Sequence, residues 1–437
     1  MEGRYISIAP YLREHPLLKE TRRKKREKYI GFLAYYFHSN EDRYAQALLK
    51  LYQETFLQRA DEAPVPSPSI KGLWKYRHIL YMDVWFINAF QDRERAEALL
   101  NEMQTCSGLF WGYRKKMRQL FERLYTGGNT VPFPKVENII SLWQRNETFL
   151  HEPVRKIAFT ANMSAGKSTL VNAFVGKKVN RSQSMACTAK LHYIYNKPFE
   201  DGFSAEDDNV LNLDADYTTL MEDDEGNTKL EIIVSTYFRM IFDRGTRLCF
   251  IDTPGVNSAM DRTHKEITDA VISGGAFDRL VYVINADGNI ATDDEHRYMS
   301  QLWESVKQVP VLFVVNKLDA FRASEDSISE SLDKIRQDVE GLGFENAAVC
   351  PVSAYAGYLA KRALFDGGLE EDEQDDLDTK RRMCKREAYD LSGYYPPEVR
   401  RRCAEIVVAE QDPERQKLLQ LMYHCGLLPL EYILTDR

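Results

Sequence analysis

The stretch Thr160–Gly176, TANMSAGKSTLVNAFVG, decides how the rest of the chain is read. It follows the β-rich segment VRKIAFT and runs into a helical segment, which is the context a phosphate-cradling loop requires. The predicted strand covers Lys156 to Thr160 and the predicted helix covers Ser168 to Val175. Asn162, Met163, Ala165, Gly166, Lys167, Ser168 and Thr169 are the candidate nucleotide cradle. At Gly166 the backbone can approach an anion where a Cβ would obstruct it. Backbone N–H groups and the helix N-terminus then face the phosphates. Lys167 supplies a point charge to the β- and γ-phosphates, and Ser168 offers its hydroxyl to Mg²⁺. Ala161 stands where such loops open with glycine, so the first bend must be made with a Cβ present.

Three further segments stand on the ends of predicted strands, in an order that matches the loop. CFIDTPG closes one strand with Asp252, a carboxylate placed to partner Mg²⁺. Gly255 in the same segment can give its N–H to the γ-phosphate. VVNKLD closes a later strand with Asn316, Lys317 and Asp319. A carboxylate there accepts N1–H and N2–H of guanine, which adenine cannot supply. CPVSAY closes the next, where Ser353 and Ala354 are expected to aim backbone N–H at guanine O6. Each piece alone has a plainer reading as a turn or a helix cap. Together, on the carboxyl ends of parallel strands, they point to GTP with Mg²⁺. The γ-phosphate-sensing threonine between loop and Asp252 is assigned to Thr188, a metal ligand by this reading, with Ser182 and Ser184 as rivals.

Outward from this core the pattern changes. RLCFID, RLVYVIN, VPVLFVVN and AAVCPVS are near-continuous apolar strands, suited to a sheet buried on both faces. Helical stretches alternate with them. SISESLDKIRQDVEGL places Ile328, Leu332, Ile335 and Val339 on one face, and TDDEHRYMSQLWESV opens with a capping-box spacing from Thr292 to Glu295. The predicted class is α/β, a P-loop GTPase domain with a mostly parallel sheet over residues 151–360. Residues 1–150 read as amphipathic helices, with faces such as Tyr44, Leu48, Leu51 and Tyr52, or Val136, Ile139, Ile140 and Trp143. Residues 361–437 turn helical and charged, and QDPERQKLLQLMYHCG starts a helix with Asp412 as N-cap and Pro413 at its first position. The two flanks are expected to pack together as a helical bundle, because neither alone covers its apolar faces.

Composition narrows the class. A formal charge of −8 argues against a general nucleic-acid binder. Seven scattered cysteines form no C-x-x-C pair and read as reduced thiols. No apolar run is long enough to span a bilayer, and the N-terminus lacks a signal-peptide core, so a soluble cytoplasmic protein is expected. The basic-aromatic segment TRRKKREKYIGFLAYYF, the aromatic KGLWKYRHILYMDVWFINAF and the acidic-to-basic run GGLEEDEQDDLDTKRR are read as core aromatics and solvated helix faces.

On the residues SAGKSTLVNAFVG, CTA, DTPGVNS, VINADGNIATDDE and NKLD, the α/β domain resembles the GTPase domain of the dynamin superfamily, bacterial dynamin-like proteins in particular. The long separation of Thr188 from Asp252 leaves room for an insertion that compact Ras-like domains lack. The resemblance implies hydrolysis of GTP to GDP, pairing of two copies through their GTPase domains, and contact with a peripheral membrane. It gives Lys167, Ser164, Thr188 and Gly255 the catalytic roles. Met163 stands where the family often holds a water-orienting glutamine, and methionine offers no useful hydrogen bond. Binding is therefore expected to survive, while hydrolysis is slow or draws on Thr188, backbone groups and dimerisation. The rival readings are a GTP-gated interaction module with little or no hydrolysis and a ribosome- or RNA-associated GTPase, against which the acidic balance counts.

Overall fold

A computed structural model describes residues 6–37, 42–57, 64–107, 111–126, 132–161, 165–180, 190–208, 210–215, 231–242, 245–254, 262–286, 293–306, 309–321 and 327–435. The chain divides into two compact units, residues 1–152 with 197–215, and residues 153–196 with 216–437.

In the first unit, helices α1 (Ala9–Glu14), α2 (Arg23–Phe37), α3 (Arg43–Leu57), α4 (Arg77–Asn88), α5 (Arg93–Cys106), α6 (Trp111–Thr126) and α7 (Glu137–His151) follow one another. A short antiparallel ribbon, β3 (Ala205–Asp207) with β4 (Leu211–Asn212), joins them from later in the chain. Helix α4 is buried from Ile79 to Asn88, all round rather than along one stripe, so it is the core helix about which the others pack. The aromatics of α2 (Tyr29, Phe32 and Tyr36) are buried, as the core reading of both aromatic segments expects. Asp83 sits in the middle of α4, fully buried. Tyr11, Tyr29, Tyr52 and His15 bring donors to its two oxygens at 2.5 to 3.1 Å. His15 Nδ1 accepts the N–H of Leu17 at 3.0 Å, so the proton of the neutral ring is on Nε2 and points at Asp83.

The second unit holds β1 (Arg155–Ala161), β2 (Leu191–Asn196), β5 (Glu231–Thr236), β6 (Leu248–Asp252), β7 (Arg279–Asn285), β8 (Val311–Asn316) and β9 (Ala348–Val352). Within it the strands run in the order β5-β2-β6-β1-β7-β8-β9. All neighbours are parallel except β2 and β6. Alternate residues of β1 serve opposite faces. Ile157, Phe159 and Ala161 join a core with helix α8 (Lys167–Val175), and Ala158 joins the core on the other face. That other face is covered by α9 (Arg262–Gly274), α10 (Asp293–Val306) and α11 (Ile328–Gly341), with Ile328, Leu332, Ile335 and Val339 buried as expected. Two covered faces explain the near-continuous apolar strands.

The boundary expected at residue 360 is corrected. Helix α12 (Ala354–Asp366) leads straight out of β9 and lies on α8. After it come α13 (Glu371–Met383), α14 (Pro397–Ala409), α15 (Pro413–His424) and α16 (Leu427–Thr435). Leu418, Met422, Leu428, Leu430 and Leu434 share one core with the strands and with α8 and α12. The C-terminal helices therefore cover their apolar faces on the α/β domain, where a bundle with the N-terminal helices is expected from sequence. The boundary expected after residue 150 falls at 152, and residues 197–215, read as part of the α/β insertion, belong to the first unit. Asp412 caps α15 as expected, accepting N–H from Glu414 and Arg415 at 2.9 and 3.0 Å.

A buried ion pair fastens this layer. Lys361 of α12 and Glu431 of α16 are both fully buried and bonded to each other. Lys361 Nζ also donates to the carbonyl of Phe174 at 3.0 Å, and Glu431 accepts the N–H of Ile241 at 3.0 Å. Burial alone pushes the lysine down and the glutamate up, and each partner opposes the other's shift.

Among the described residues no helix is long and apolar enough to cross a membrane. Cys106, Cys249, Cys350, Cys384, Cys403 and Cys425 are free thiols, as the sequence reading expects of them. Cys187 lies outside the described residues.

Candidate nucleotide site

Four strand ends converge on one edge of the sheet. Gly166 is the N-cap of α8 with φ 83°, a conformation that favours glycine. A Cβ there would also strike the side-chain nitrogen of Asn316. Asn316, at the end of β8, donates from Nδ2 to the carbonyl of Ala165 at 3.0 Å and accepts the N–H of Ala354 at 3.0 Å. One amide side chain thus stitches the phosphate loop to the start of α12.

Asp252, at the end of β6, is bonded by Lys167 Nζ. Ser168 Oγ donates to it at 3.3 Å and Asn180 Nδ2 at 2.6 Å. Asn180 Oδ1 in turn meets His192 Nδ1 at 2.7 Å. Since the Asn180 amide nitrogen is turned to Asp252, its oxygen faces His192, whose Nδ1 therefore carries the donated proton. Asn172 of α8 holds the Asn180 backbone. Its Oδ1 accepts the N–H groups of Val179 and Asn180 at 2.9 and 3.0 Å, and its Nδ2 donates to the Asn180 carbonyl at 2.9 Å. Asn180 and His192 were not singled out from sequence, because their only signal is spatial.

Lys317 takes φ 68° and opens the turn Leu318–Ala320 that carries Asp319. Asp319 is paired with Lys380 of α13, a second residue that the sequence did not reveal. At the start of α12, the two N–H groups expected to read guanine O6 are already engaged. Ser353 N–H donates to the carbonyl of Cys425 at 2.9 Å, and Ala354 N–H to Asn316.

Ala165, Gly166, Lys167, Ser168, Thr169, Asp252, Asn316, Lys317, Asp319, Ser353 and Ala354 are thus all at the carboxyl ends of β1, β6, β8 and β9 or on the first turns beyond them. Asn162, Met163, Ser164, Thr188 and Gly255, with the rivals Ser182 and Ser184 and the expected cap Thr292, lie outside the described residues.

Residues 157–318 match the model of the Dynamin family. Among curated proteins, the chain is 24% identical over 202 residues to dynamin-like protein A of Bacillus subtilis, covering 44% of this chain and 16% of that protein. It is 26% identical over 144 residues to sulfate adenylyltransferase subunit 1 of Bacteroides thetaiotaomicron, covering 32% of this chain and 27% of that one. The chain thus spans less than a third of the length of these relatives. Among solved structures, an oligomerised bacterial dynamin pair matches 82% of this chain and 57% of its own, at 14% identity and a TM-score of 0.36. Era of Aquifex aeolicus bound to GDP and AlF4⁻ matches 46% and 51%, at 18% identity and a TM-score of 0.30. With the loop, the strand ends and the sheet order in place, the match over residues 157–318 identifies a P-loop GTPase domain of the dynamin type within this chain.

Proposed function

We propose that the chain binds GTP with Mg²⁺ and hydrolyses it to GDP. Nucleotide state, or pairing of two copies through this domain, would then move the helical segments, at a peripheral membrane surface as the family resemblance implies. The observation that carries this reading is the gathering of Lys167, Ser168 and Asp252 at one strand end, beside a loop tied to the base-reading segment by Asn316.

The hydroxyl of Ser168 and the carboxylate of Asp252 are hard oxygen donors, the chemistry Mg²⁺ prefers, and together with phosphate oxygens they suit it. When bound there, Mg²⁺ would supply charge neutralisation to the phosphates. The chain's own residues do the rest. Lys167 exchanges its bond with Asp252 for phosphate oxygens, and Asp252 stays oriented by Asn180. Gly166 gives the loop its close approach, and backbone N–H groups at the start of α8 face the anion. Asp319 accepts from guanine, and Lys317 flanks the base. Thr188 and Gly255 sense the γ-phosphate, and Ser164 meets charge in the transition state.

Met163 favours a second reading, a GTP-gated interaction module with little turnover. GTP turnover per protomer across a range of protein concentrations, with Lys167→Ala as the blank, separates the two. Turnover that rises with concentration selects the dimer-stimulated enzyme. Turnover at the blank's level with GTP still bound selects the module.

A further inference from the structure

Helix α13 reads from sequence as a solvated acidic-to-basic run, yet every residue along one of its faces from Glu373 to Lys380 has a partner in the domain. Glu373, Asp376, Leu377 and Lys380 follow the i, i+3, i+4, i+7 spacing of a single helical face. Glu373 takes Arg362 of α12 at 2.8 and 2.9 Å. Asp376 accepts the phenol of Tyr355 at 2.8 Å. Leu377 is buried in the domain core. Lys380 bonds Asp319. The face thus runs back along α12, past the residue next to Ala354, and ends on the carboxylate at the end of β8. Tyr355, on the first turn of α12 after β9, and Asp319, on the turn after β8, stand on the two segments expected to meet a guanine base, and α13 holds both.

We propose that Lys380 is a positioning residue for guanine recognition, and that α13 is a third element of the base site beside the loops after β8 and β9. This rests on the GTP reading of the site. A carboxylate reads N1–H and N2–H together only when its plane is aligned with the base, and the terminal torsion of an aspartate is broad. Asp319 sits on a three-residue turn, and its side chain takes Lys380 as partner. Lys380 bonds one oxygen, Oδ2, from the α13 side. A carboxylate has about four lone-pair sites, so this bond leaves acceptor capacity for two base donors. The lysine fixes the plane without filling the reading edge. Glu373, Asp376 and Leu377 fix the lysine by docking its helix.

The test uses the full chain and compares binding of GDP with that of inosine diphosphate, which lacks the 2-amino group. Lys380→Met keeps the reach and removes the charge, and Lys380→Arg keeps the charge. The expected result is a loss of GDP affinity of about tenfold in Lys380→Met, with a smaller loss for the inosine nucleotide. The preference for guanine over inosine then falls, and Lys380→Arg restores it. Equal losses for both nucleotides would mean a structural role only and overturn the proposal. GDP binding in Lys380→Met that is unchanged or tighter also overturns it, the latter by showing that the lysine competes with the base. Failure of the unaltered chain to bind either nucleotide would sink the GTP reading itself, and this proposal with it.

Discussion

Two buried aspartates, one in each unit, show how similar chemistry is put to different ends. Asp83 is fully buried and Asp252 nearly so, at 0% and 5% exposure, and each takes several donors. Around Asp83 the donors are three phenols and a neutral imidazole. Burial, and then the aspartate itself, pushes Tyr11, Tyr29 and Tyr52 far above the ordinary phenol range, so all three remain protonated donors. These are fixed dipoles from α1, α2, α3 and the His15 turn, closed around α4. Around Asp252 the donors are an ammonium, a hydroxyl and an amide, at the carboxyl end of a strand in a mostly parallel sheet. A ring of dipoles locked in a core has finished its work once the unit is folded. A carboxylate shared with a cation at a strand end can hand its partners to a ligand.

The largest effect that can break this comparison is on Asp83. Asp83→Leu strands four buried donors and should cost on the order of 4 kcal/mol. A urea midpoint for the N-terminal unit within experimental error of the unaltered chain would refute the structural role. Next is the ion pair beneath α16. Lys361→Met leaves Glu431 buried and unpaired, at about 3 kcal/mol, while Lys361→Met with Glu431→Leu should return to within about 1–2 kcal/mol of the original. Equal loss in the single and double variants would show that packing, not charge, holds that layer.

Lys167→Ala sharpens the contrast from the other side. Asp252 keeps Ser168 and Asn180, so melting should move little, while GTP turnover falls by about 10²-fold or more. A collapse in stability would make Asp252 a second structural hub. The smallest effect is on His78, which burial, with Arg77, Lys135 and Lys116 nearby, lowers from 6.5 to about 4. The unfolded chain takes its proton first as pH falls. Stability present above pH 6.5 is therefore lost between about 6.5 and 4, by about 1 kcal/mol after allowance for solvent screening. His78→Gln should flatten that slope in denaturant titrations run across the window.

Much of the sheet and the loop was legible in the sequence, because the signals are local. Apolar runs gave β6, β7, β8 and β9 their positions, and Gly166-Lys167-Ser168 stands where strand meets helix. What escaped depends on partners distant in the chain. Asp83 interrupts an aromatic run and reads as one polar residue on a helix until Tyr11, Tyr29 and Tyr52 arrive from other helices. Lys380 lies in a charge run whose bland reading holds for most of its residues, and only its register with Leu377 marks the inner face. Ser353 and Ala354 are expected from sequence to aim backbone N–H at guanine O6, and sequence does not show that Cys425 and Asn316 already accept those N–H groups. The C-terminal helices were paired with the wrong surface for a similar reason, since an apolar stripe does not say what covers it.

The place of α16 bears on how the chain is made. The strands of the α/β domain and the phosphate-loop helix leave the ribosome long before residues 427–435, whose leucines close one face of the sheet. Through that interval the apolar side of α8 and α12 has no finished cover, and Lys361 waits for Glu431 as its counter-ion. The N-terminal helices can settle as they emerge, apart from the ribbon of β3 and β4, whereas the α/β domain gains this layer only once residues 427–435 have been made. Until then this face is exposed apolar surface, and a translational pause ahead of residue 427 would prolong that exposure.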